Sequence, residues 1–94
     1  MTGALENEYR DRATRIGGVT VFEPTVAIEI LKEAERREIR TYGLDAFLVH
    51  PENKIQPVME HDLELSGVAG DHATAIAHLS TFVGTSFFFE IATD

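Results

Sequence analysis

The chain has 94 residues, enough for one domain with a modest core. Its 44% hydrophobic content excludes a disordered chain, and its lack of cysteine excludes disulfides, thiolate metal sites and cysteine nucleophiles. A net charge of −8 disfavours direct binding to a nucleic-acid backbone, which needs clustered Lys and Arg.

The acidity is uneven. All eight basic residues lie between Arg10 and Lys54, and the stretch from Ile55 to Asp94 carries six acids, a local charge of −6 against −2 for the first 54 residues. Such a surface steers a basic protein partner toward the acidic half, although acidity also serves solubility alone. No apolar run approaches the roughly 18 residues of a membrane span. The N-terminal "MTGALENEYRDRATR" is too charged for a signal-peptide core. Cytoplasmic residence and no membrane partner are therefore expected.

In chain order, "ALENEYRDRATR" (4–15) favours a helix, with Thr2 as cap and Gly17-Gly18 as stop. Its apolar stripe of Leu5, Tyr9 and Ile16 is thin, so residues 1–17 are expected to be peripheral. "GVTVF" (18–22) is β-branched and reads as a short strand. "PTVAIEILKEAERRE" (24–38) is the strongest helix, with Pro24 at its first position. Ala27, Ile30, Leu31 and Ala34 lie on its inner face, and Glu33 and Arg37 stand four apart on the outer one. "IRTYGLDAFLV" (39–49) alternates as a strand. Tyr42, Leu44, Ala46 and Leu48 are on one face, and Gly43 marks a bulge or a close backbone approach.

"HPENK" reads as a turn in which Asn53 tolerates the left-handed region, and "KIQPVME" (54–60) returns as a partner strand whose edge faces out at Pro57 or which breaks there. "HDLELSGVAGD" is a loop or a short strand and a loop, with Gly67 and Gly70 ahead of a helix that Asp71 caps. That helix, residues 72–83, would bury Ala75, Ile76, Leu79, Phe82 and Val83, with Gly84 after it. "SFFFEI" (86–91) closes the chain as a strand, with Phe87, Phe89 and Ile91 on one face and Phe88 on the other. The whole is a single α+β domain, residues 1–94: an antiparallel sheet with helices packed mainly on one face. Without its first helix, the order βαββαβ permits a ferredoxin-like arrangement.

Chemistry-bearing patterns are sparse. His72 and His78 are six apart and lack the i, i+4 spacing of a zinc-binding helix pair. In an extended "EHD", Glu60 and Asp62 face one way and His61 the other, so the three do not converge on one ion. No metal and no cofactor is expected. Ser66, Ser80 and Ser86 lack a nucleophile-elbow context. In "YGLDAFLVHPENKIQP" the acid Asp45, His50 and Gln56 are read as parts of a hairpin rather than a reactive site. Asp45 interrupts an apolar strand, so its carboxylate needs donors or solvent. It is either an exposed polar position or a recognition residue.

The run from "VAIEILKEAERREI" through "RTYGLDAFLV" and "NKIQP" to "MEHDLELS", residues 24 to 66, resembles small immunity proteins of bacterial polymorphic-toxin systems. That resemblance implies a stand-alone, non-enzymatic inhibitor of a basic toxin. By charge, partner contacts are expected at Glu60, Asp62 and Glu64, with Asp45 behind them, and at Phe88 if the sheet's second face is open. Two other readings stay open: a homo-oligomeric domain, such as a homodimer, that binds a small molecule between sheet and helices, and a small enzyme using His61 with Glu60 or Asp62.

Overall fold

The computed structural model describes residues 4–65 and 71–93. Thr2, and Gly67 and Gly70 of "SGVAGD", lie outside them. The elements run α1 (Ala4–Glu8), β1 (Thr14–Ile16), β2 (Val19–Val21), α2 (Pro24–Arg36), β3 (Thr41–His50), β4 (Lys54–Pro57), β5 (Leu63–Glu64), α3 (Asp71–Ser80) and β6 (Phe87–Thr93). The fold is α+β, with β3 at the centre of its main sheet. β4 and β5 pair antiparallel along one edge of β3, and β6 pairs antiparallel along the other. A ferredoxin-like sheet would take the strand before the long helix into its interior. Here that segment pairs with the sheet through an isolated bridge, Phe22 to Phe89, at the outer edge of β6.

The helices share one face of the sheet. Leu5 of α1, Val26, Ala27, Ile30, Leu31 and Ala34 of α2, and Ala75 and Leu79 of α3 form one cluster with Leu44, Ala46, Phe89 and Ile91. Burying each large side chain of this set stabilises the domain by about 1.5–3 kcal/mol. Residues 4–17 are anchored, because Leu5 is buried in that cluster and Ile16 is buried too. Arg37 also reaches back to Glu8 with two hydrogen bonds of 2.6 and 2.9 Å, while its Nε meets Glu33.

The expected helix over 4–15 stops after one and a half turns. Beyond α1 the chain makes a 3-10 turn, Arg10–Arg12, and then a hairpin. Its stripe was too thin to hold a helix, and Thr14 and Ile16 take the extended form that branched side chains favour. Gly17 and Gly18, at φ +59 and +81, are the two-residue turn of this hairpin rather than a helix stop. Two consecutive positive φ values are what a type I′ turn requires.

Local causes set the details farther along the chain. The pairing slips by one residue between Thr41 and Gly43, so the alternation shifts phase: Thr41 is buried and Tyr42 is exposed. Gly43 is a place of close approach, since a methyl there would sit 3.2 Å from the Leu63 carbonyl oxygen. The β3–β4 turn holds both Glu52 and Asn53 at positive φ. The last helix ends at Ser80, and the following turn leaves Val83 exposed, though Phe82 still packs on the core.

Val58 N–H donates to the Ala46 carbonyl at 2.9 Å, so alternation turns Pro57, which has no N–H, away from β3. The strand β4 is therefore a protected edge.

The hairpin decides what the second face of the sheet looks like. Its paired residues Thr14 and Val21, and Ile16 and Val19, all lie on one side, while Arg15 and Thr20 lie on the other. It leaves the main sheet at Phe22, beside β6, and its tip arrives at β4, where a methyl built on Gly17 would lie 3.6 Å from Ile55 Cγ2. Register puts Ile55 on the same face as Phe47 and Val49, opposite to the helices. Thus the hairpin straps across the outer face from one edge to the other, with Ile16 and Val21 buried beneath it.

Phe89 is fully buried between sheet and helices, whereas Phe88 is half-buried on the strapped face. Phe89→Ala is expected to cost about 3–5 kcal/mol, and Phe88→Ala clearly less. Denaturant melts of the two variants check this, and equal losses would contradict the assignment of faces.

Candidate functional site

The outer face of the sheet divides into two zones. Next to the hairpin lie Phe47, Val49, Ile55 and Phe88. Farther along β3, register places Asp45 directly opposite Glu90, and Gly43 opposite Glu64. Like charges facing each other on neighbouring strands repel. Asp45 and Glu64 are exposed and Glu90 is half-buried. Partial burial raises the Asp45 carboxyl above its ordinary range, and the charges of Asp62 and Glu64 add to this. Burial raises Glu90 likewise, with Asp45 contributing.

No Lys or Arg among the described residues forms an ion pair with this row. Among the described residues the ion pairs join Arg12 to Glu29, Arg36 and Arg37 to Glu33, and Arg37 to Glu8, all remote from the acidic zone in sequence and element. The contrast with Glu33 is direct. Held by two arginines, its carboxyl is lowered to about 2.

The other acids expected to meet a partner have different positions. Glu60 is exposed in the 3-10 turn Met59–His61, between β4 and β5. Asp62 is occupied: its Oδ1 accepts the Ala46 N–H at 2.6 Å. That N–H points into the gap where the chain has left β4 and not yet entered β5, so the carboxylate replaces a missing backbone rung. Phe88 lies beside Phe47, next to the acidic row but on the strapped side, and is not freely open.

The histidines pin separate segments together. His50 Nε2 is 2.9 Å from Gln56 Oε1 across the β3–β4 hairpin, and Asp45 lies five residues away along the strand. His72 Nε2 donates to the Ile39 carbonyl at 3.0 Å, and His78 Nε2 donates to the His61 carbonyl at 2.7 Å. The His61 ring packs against Phe82 and Phe87, with centroids 5.0 and 5.1 Å apart. Glu60, His61 and Asp62 therefore look into three environments: solvent, an aromatic cluster and a backbone amide. Among the described residues no three His, Cys, Asp or Glu side chains are grouped to hold a metal ion. Between sheet and helices, where a small molecule was one expectation, Phe22, Leu31, Leu44 and Phe89 are fully buried in the apolar cluster.

Glu90 is the acid that sequence reading left out of the site. Its place opposite Asp45 depends on the β3–β6 register, which no local pattern encodes. The only sequence signal was a charge interrupting the apolar "FFFEI". Comparison with known proteins finds no matching family model and no match among curated proteins or solved structures.

Asp62→Ala leaves the Ala46 N–H without an acceptor and is expected to cost about 1.5–3 kcal/mol. Asp62→Asn, which keeps an oxygen there, should retain most of the stability in the same denaturant melts.

For Asp45 and Glu90 the folded state binds protons more readily than the unfolded chain. Their repulsion is therefore fully present at neutral pH and fades as pH falls through the raised folded values. Asp45→Asn and Glu90→Gln should each raise the melting temperature at pH 7. The gain should vanish near about pH 3, below the ordinary carboxylate range. Thermal melts at the two pH values test this, and a gain that persists in acid would show that repulsion is not its cause.

Proposed function

We propose that this protein is a non-enzymatic interaction domain that presents the acidic half of its outer sheet face to a basic protein partner. One observation carries the reading: Asp45 and Glu90 stand opposite each other in register, joined by Glu64 across Gly43, and none of the three joins an ion pair among the described residues. A sheet gains nothing in stability from such a row. A partner that brings Arg or Lys to it relieves the repulsion and forms charge-assisted bonds. Glu60 extends the acidic surface around the edge, and the half-buried Phe88 lies beside Glu90 as an apolar neighbour.

The particular form we favour is an immunity-like inhibitor of a basic toxin, acting in the cytoplasm. The acidity of the segment from Ile55 onward and the resemblance over residues 24–66 support it. Among the described residues no helix is long and apolar enough to cross a membrane.

The test is co-purification from the native host, comparing the wild-type protein with the triple variant Asp45→Asn, Glu64→Gln, Glu90→Gln. A basic partner should be retained by the wild type, released by salt, and lost by the variant although the variant is at least as stable. That partner should be toxic when expressed alone and harmless when expressed with this protein. A partner held equally well by the variant would sink the acidic-face reading. A non-toxic basic partner would keep the acidic face and remove the inhibitor.

A further inference from the structure

We propose that the cleft between α1 and the outer side of the β1–β2 hairpin binds a small zwitterion of the amino-acid class. The cleft encloses about 370 Å³ and is lined by Glu6, Asn7, Arg10, Asp11, Arg15 and Thr20, among others. That volume lies near the lower end of small-ligand sites, which span about 300–1,000 Å³. It suits a ligand the size of an amino acid or dipeptide.

The charges of the lining select the ligand. In a chain of net charge −8, this cleft gathers two acids and two arginines, a local sum of zero. Arg10, Asp11 and Arg15 are exposed and join none of the ion pairs among the described residues. Opposite charges thus line one opening without closing on one another. Glu6 is different: only 1% exposed, it accepts a hydrogen bond from the Thr93 hydroxyl and is fixed against the end of β6. It forms the back wall.

An anion alone would meet the repulsion of Glu6 and Asp11, and a cation alone that of Arg10 and Arg15. A ligand with a carboxylate and an ammonium group satisfies both pairs. The guanidinium forks match a carboxylate in geometry, and Asp11 takes the ammonium with the buried charge of Glu6 behind it. This site stands apart from the acidic sheet face, since its lining shares no residue with that face.

Calorimetric titration and thermal melts test it, with glycine, glutamine and glycylglycine as probes at constant ionic strength. Acetate and methylammonium are the single-charge controls. A zwitterion should raise the melting temperature saturably, by roughly 4 °C near saturation. The controls should not. Affinity should fall at least tenfold in Arg10→Gln/Arg15→Gln and in Asp11→Asn. These positions are exposed, so the variants should melt like the wild type without probe. Asp45→Asn/Glu64→Gln/Glu90→Gln should bind the probes unchanged, which separates this site from the sheet face. The proposal is overturned if acetate alone stabilises as strongly as the zwitterions, or if no probe saturates below about 10 mM.

Discussion

Ala46 sits where the structure is most constrained. It belongs to β3, which pairs with β4 and β5 along one edge and with β6 along the other, and its side chain is buried against the helices. On the β4–β5 side its carbonyl receives Val58 N–H, while its own N–H finds no strand and is taken by the Asp62 carboxylate. Leaving that amide unmet would cost about 1–3 kcal/mol. Because Asp62 closes the gap, the chain can leave β3 after four paired residues, turn outward through Met59–His61, and rejoin it at Leu63. The turn then lies against α3, where His78 and the rings of Phe82 and Phe87 hold it. One carboxylate thereby couples the broken edge of the sheet to the helical layer.

The two faces of that sheet meet different physical demands. The helical face is apolar and buried. The outer face is apolar only where the hairpin crosses it, and acidic where it does not. Cations are spent elsewhere, on ties such as Arg37 to Glu8 and Glu33 that fasten α1 to α2. Among the described residues, this segregation leaves the acidic row outside every ion pair. A residue set that repels itself contributes nothing to stability, which is why we propose an external contact for it.

Much of the fold was legible in the chain because local pattern encodes it. Pro24 and the spacing of Ala27, Ile30, Leu31 and Ala34 gave α2, and the alternation of Phe87, Phe89 and Ile91 gave β6 and its buried face. Asn53 showed as a left-handed position and Gly43 as a bulge and close approach. What sequence missed was set by distant pairing. The β1–β2 hairpin was hidden in residues that also read as a weak helix, until Gly17-Gly18 is taken as a turn instead of a stop. The phase slip at Tyr42 reversed which of two neighbours is buried. Of the candidate site, Asp45 was visible as a charge in an apolar strand, and Glu64 as part of an acidic run. Their convergence with Glu90 required a register that joins positions 45 residues apart. Asp62 looked like surface charge because nothing local reveals that it serves a backbone amide.

The N-terminal segment grips β6 from both sides: Leu5 enters the core on the helical face, and the hairpin passes over the other. The strand so clasped is the last element in chain order. During synthesis, the first 22 residues therefore emerge without the rail they must hold, and Phe22 cannot make its bridge until Phe89 has left the ribosome. Closing a loop of that length adds entropy cost before any contact rewards it. Assembly of this domain should accordingly be a late, nearly all-or-none event, in which the beginning and the end of the described chain lock together at once.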